Sequence, residues 1–111
     1  MVELTPQQMK TVERLLAAGF RPLAIPPYES ALCMRRGDCA AVLAAVPNGG
    51  LKLLAPATYL LDGNLSVRLK RGDGEVFVWK ANEVAATPER LQELERFRME
   101  LGEILDLRAT Q

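Results

Sequence analysis

The sequence predicts an α+β fold: an N-terminal helix, a mainly antiparallel sheet of five to seven short strands, and a C-terminal amphipathic helix packed on the sheet. Three observations predict it. Thr-Pro pairs open helical patterns near both ends of the chain, at Thr5-Pro6 and at Thr87-Pro88. Pro22, Pro26, Pro27, Pro47 and Pro56 then forbid a long helix between them. Glycine-rich turns punctuate that same middle segment, separating short apolar runs. A chain of 111 residues fits a single domain over residues 1–111, large enough to bury a core without disulfides or metals.

The first helix is expected from Pro6 to Ala18. Thr5 is its N-cap and Gln8 completes a Thr-x-x-Gln capping box, in which each residue satisfies a backbone N–H at the helix start. Met9, Val12, Leu15 and Leu16 recur at helical spacing as an apolar stripe. Gly19 suits a left-handed C-terminal cap, after which Phe20 folds back toward Leu15 or Leu16.

Strands are expected at Arg21 to Ile25, Ser30 to Arg35, Cys39 to Val46, Leu51 to Leu54, Thr58 to Leu61, Leu65 to Lys70 and Glu75 to Lys80. Ile25-Pro26-Pro27-Tyr28 reads as a stiff bend, and Asn48-Gly49-Gly50 and Asp62-Gly63-Asn64 as turns. The alanine-rich run after Asp38 also suits a short helix capped by that aspartate. A strand is the preferred reading, because the flanking segments need a neighbour to pair with.

The last helix opens on Thr87 and Pro88, with Glu89 favourable at the positive end of its dipole. Leu91, Leu94, Phe97, Leu101, Ile104 and Leu105 form its apolar stripe, too short for a coiled coil and therefore read as core-facing, with a self-paired helical dimer as the alternative.

Arg-Gly-Asp occurs twice, at Arg36-Gly37-Asp38 and Arg71-Gly72-Asp73. Cell adhesion requires an exported protein, and the N-terminal residues lack the basic start and apolar run of a signal peptide. A cytoplasmic location is expected, with no membrane partner, and both tripeptides read as hairpin turns. With Gly72-Asp73 at the tip, Lys70 faces Glu75, Leu69 faces Val76, Arg68 faces Phe77, Val67 faces Val78 and Ser66 faces Trp79. One face is then wholly aliphatic (Val67, Leu69, Val76, Val78) and is expected to be core. The other carries Arg68, Phe77 and Trp79, with Arg68 placed for a cation–π contact to Phe77. Its aromatics need a cover, which the C-terminal helix, a second copy or a ligand would supply.

Charge is balanced overall but not along the chain. Residues 31–82 carry Arg35, Arg36, Lys52, Arg68, Lys70, Arg71 and Lys80, whereas residues 83–111 are acidic on balance. The helix carboxylates are accordingly expected to meet Arg68 and Lys70. Phe77, Trp79, Arg68, Phe97 and Leu101 are the candidate interaction residues.

The chemistry is mostly exclusion. With no histidine, the commonest general base and most zinc sites are removed. Cys33 and Cys39 point to opposite faces of their hairpin and read as free thiols. Glu100, Glu103 and Asp106 read as a solvated helix face balanced by Arg90, Arg96 and Arg98. No catalytic set assembles, so neither an enzyme nor a metal or cofactor is expected. A small non-catalytic protein-interaction domain, homodimeric, is the preferred reading. The alternative is anion or nucleic-acid binding through the hairpin tips, using Arg35, Arg36, Lys70 and Arg71, against which stand Asp38, Asp73 and a pI near 6.3.

Overall fold

A computed structural model describes residues 4–25, 28, 31–47 and 49–105. The Pro26-Pro27 bend, Ser30, Asn48 and Asp106 lie outside the described residues. The fold is α+β. Helix α1 (Pro6–Ala17) carries the expected capping box: Thr5 Oγ1 accepts from Gln8 N–H at 3.1 Å, and Gln8 Oε1 accepts from Thr5 N–H at 2.9 Å. Gly19 takes φ +95°, and the Phe20 N–H returns to the Leu15 carbonyl at 3.0 Å. The inward face differs from the apolar stripe. Gln8, Val12 and Leu15 point in, while Met9 and Leu16 are exposed.

Strands β1 (Arg21–Leu23), β2 (Leu32–Arg36), β3 (Cys39–Ala45), β4 (Leu51–Leu61) and β5 (Asn64–Leu65) form a five-stranded sheet in chain order, every pair antiparallel. Strands β6 (Val67–Arg71), β7 (Gly74–Trp79) and β8 (Asn82–Ala85) form a second, three-stranded antiparallel sheet. The alanine-rich run is a strand, with Met34 opposite Ala41 and Leu32 opposite Leu43. Residues 39–43 are all buried, because both faces of β3 are covered. Cys39, Ala41 and Leu43 enter the main core, and Val42 joins Ile25 and Cys33 on the other face. A helix buries one stripe, so a segment needed on two sides is better served by a strand.

Three boundaries depart from expectation. The segments expected at Leu51 to Leu54 and Thr58 to Leu61 are one strand, β4. Its register to β3 shifts twice, between Ala40↔Thr58 and Val42↔Ala55 and again before Leu43↔Leu53, each shift leaving an extra β4 residue. These bulges accommodate Pro56, which has no N–H for a regular ladder. The strand expected from Leu65 to Lys70 breaks at Ser66. Its N–H and hydroxyl both turn to the Tyr59 carbonyl, at 3.0 and 2.9 Å. Finally β8 was not expected. Its Asn82 stands opposite Trp79 on the side of β7 away from β6, and the β6–β7 ladder ends at Val67↔Val78, short of Ser66.

Helix α2 (Pro88–Ile104) is capped by Thr87, which accepts from Arg90 N–H at 3.2 Å. It buries Leu94, Phe97 and Leu101, so its stripe faces the core. Both helices and both sheets feed that core: Leu15 and Phe20, Met34 and Leu43, Tyr59, Phe77, and Phe97 with Leu101. Phe20 and Phe97 meet at 5.2 Å and Tyr59 and Phe77 at 4.8 Å between ring centroids. Among the described residues no helix is long and apolar enough to cross a membrane.

Candidate functional site

The second sheet carries the surface that the sequence singles out. Its hairpin has the expected register, with Arg68 opposite Phe77 and Val67 opposite Val78. Gly72 adopts φ +62° and Gly37, in the other Arg-Gly-Asp, φ +61°. Both tripeptides are the same kind of turn, in which glycine alone takes the left-handed position without strain.

The two faces of the sheet are the reverse of the expectation. Phe77 is fully buried against Tyr59, with Val84 of β8 on the same side. The aliphatic face points outward: Val67 is 56 % exposed and Leu69 44 %, with Val78 half-buried beside them. Volume decides this. Only one face can meet the core, and the phenyl ring brings more apolar area to it than a valine does. Val76 is only 8 % exposed although it points outward. The register places it between Arg71 and Glu83, which form an ion pair.

The five candidate interaction residues therefore separate. Phe77, Phe97 and Leu101 are in the core and offer no surface. Trp79 is half-buried, with Lys80 Nζ 5.4 Å from its ring centroid. Arg68 does not stack on Phe77. It makes a bidentate pair with Glu75, at 2.9 and 2.7 Å, and this pairing holds the Glu75 carboxyl below the usual carboxylate range.

The carboxylates of α2 do not meet Arg68 and Lys70 either. Two of them meet the five-stranded sheet instead. Glu93 accepts from the Tyr59 hydroxyl at 2.7 Å and Glu100 pairs with Arg36 at 2.7 Å. The basic tips are largely engaged within the chain. Arg35 donates to the Gly37 carbonyl, Arg36 is bound to Glu100 and lies over Phe20, and Arg71 is bound to Glu83. Among the described residues, Lys70 is the tip cation without such a partner.

The cysteines are buried, free, and on opposite faces of the sheet. Burial pushes the Cys39 thiol up to about 12, helped by the nearby carboxylates of Glu93 and Asp38. Burial also raises Cys33 and Tyr59, the latter reinforced by its bond to Glu93. A thiol held protonated in this way is a poor nucleophile.

Sequence reasoning missed the outward aliphatic face because β8 was missing from it. Without β8, the hairpin looks like a ribbon that must be covered twice. The usable signal was the apolar Val84 shortly after the Lys80-Ala81 turn, at the position that a tight hairpin places opposite Phe77. Comparison with protein-family models, with curated proteins and with solved structures finds no match to this chain.

Proposed function

We propose that this chain is a small non-catalytic protein-interaction domain of the cytoplasm, docking through the outer face of β6–β8, with a second copy of itself as first partner. The observation that carries this reading is the exposure of Val67 and Leu69, at 56 % and 44 %, side by side on the outer face of β6 with Val78 opposite Val67. Contiguous apolar surface of this kind marks interfaces more than it marks free surface.

A two-fold axis lets the same patch meet itself, so one surface supplies both halves of the contact. Face-to-face stacking of two sheets at ~10 Å would bring Val67, Leu69 and Val78 of each copy together. Pairing through the β6 edge is disfavoured by Lys70, whose charge, unlike those of Arg68 and Arg71, is not offset by a carboxylate among the described residues. The Arg71–Glu83 pair then forms part of a polar rim.

Light scattering tests the reading. The wild-type chain is expected at twice 12.3 kDa, and Leu69→Asp at 12.3 kDa with unchanged circular dichroism. A wild-type chain still monomeric at about 1 mM would exclude self-association stronger than ~4 kcal/mol and end the proposal.

A further inference from the structure

The inner side of the second sheet carries a different feature. Strand β5 pairs with β4 only at Leu60↔Leu65 and Leu61↔Asn64, and β6 then begins a separate sheet. Among the described residues, the bulged middle of β4 therefore has no strand on that side. A cleft of about 630 Å³ opens there, between β4, β6, β7 and α2. A second hollow of about 540 Å³ continues along α2, and Ala55, Pro56, Ala57 and Arg98 line both. Volumes of this size are those of small-molecule sites, which are mostly apolar with a few polar groups fixing orientation.

The walls have that character. Pro56, Leu65 and Val67 line the first hollow, and Leu54 and Met99, both exposed, line the second. Trp79, the chain's one tryptophan, borders the first. Two arginines line the hollows: Arg68 is held by Glu75 in a bidentate pair, which leaves Arg98 as the more readily exchanged cation among the described residues. Arg98 reaches both hollows, and Glu95, its partner at 3.1 Å one turn away, is as exposed as Arg98 itself. Such a pair is weak enough for the guanidinium to exchange it for a carboxylate entering the cleft.

We infer that this cleft binds an elongated amphipathic carboxylate, its apolar chain lying between Pro56 and Trp79 and its head group on Arg98. The ligand chemistry follows from the site: a long apolar trough calls for an unbranched hydrocarbon body, and the weakly paired Arg98 guanidinium at its junction calls for one anionic end. Val67 borders the first hollow but Leu69 lines neither, so Leu69 is the position that separates this site from self-association.

Trp79 reports the binding directly. Titrating the full chain with dodecanoate is expected to shift its fluorescence saturably at one equivalent per chain. Arg98→Gln is expected to weaken binding about tenfold or more, and 1-dodecanol to bind correspondingly worse than the carboxylate. Leu69→Asp, on the other face, is expected to bind as the wild type does. The inference fails if no saturable shift appears below about 1 mM. It fails equally if the alcohol matches the acid, or if Arg98→Gln binds as tightly as the wild type, since either result would mean a merely greasy surface.

Discussion

Gln8 is 2 % exposed, and both ends of its amide are engaged. Oε1 completes the helix cap, while Nε2 lies against the carbonyls of Val46, Gly49 and Gly50 at 3.1, 2.9 and 3.2 Å. The capping role is legible from four residues of sequence. The second role is not, because the turn it holds is some forty residues away, and only folding brings it near. Glutamate would keep the cap but turn a carboxylate toward three carbonyls in a site with almost no water. Gln8→Glu is therefore expected to lower stability by about 2–4 kcal/mol, more than Gln8→Ala, which removes the donor without burying a charge. Urea unfolding reads the order directly; equal losses would mean that Gln8 acts through its cap alone.

Elements are joined in this molecule by a few side chains that touch more than two of them. Arg36 of β2 donates to Glu100 of α2 at 2.7 Å and to the Ala18 carbonyl at the end of α1 at 3.3 Å, and its guanidinium lies 4.5 Å over the Phe20 ring. The ion pair is half-exposed and worth ~0.5–1 kcal/mol by itself. The ring contact and the terminal carbonyl add to it. Arg36→Ala is thus expected to cost about 1–2 kcal/mol, clearly more than Glu100→Ala. Equal costs in denaturant unfolding would reduce Arg36 to a simple charge. This arrangement also explains why the sequence misled at the tip: Arg36 looks like a free cation beside a turn until α1 and α2 close over it. Helix ends, by contrast, were readable because Thr5, Gly19 and Thr87 act on backbone groups within a few residues. The joining of β4 and the break at Ser66 were not, since both depend on which strand lies alongside.

Taken as one cooperative unit, the molecule should respond to alkali through its buried acids. Cys39 and Tyr59 are held protonated in the fold, Cys39 up to about 12 from an ordinary 9.0. The unfolded chain releases these protons first, so their contribution is complete below pH 9 and is lost as pH rises toward 12. Each group steepens the loss by up to ~1.4 kcal/mol per pH unit across its window. Cys39→Ala should flatten the curve of stability against pH between about 9 and 12 by one proton, an outcome read from unfolding midpoints in a pH series. An unchanged slope would show that the thiol is not shielded as described. The orientation of the second sheet is decided at this scale as well. Local alternation fixes which residues of β6 and β7 share a face, but it carries no sign that says which face is inside.

By itself the sequence determined the fold class, the caps of both helices, the two Arg-Gly-Asp turns and the register of their hairpins, because each follows from bonds between residues close along the chain. Only the tertiary structure decided that Phe77 rather than Val67 and Leu69 meets the core, that Arg36 and Gln8 hold distant elements together, and that β4 stands apart from β6 over an open cleft. These depend on competition among distant surfaces for one limited interior. The ring with the larger apolar area wins that competition, and the smaller side chains are left for solvent or a partner.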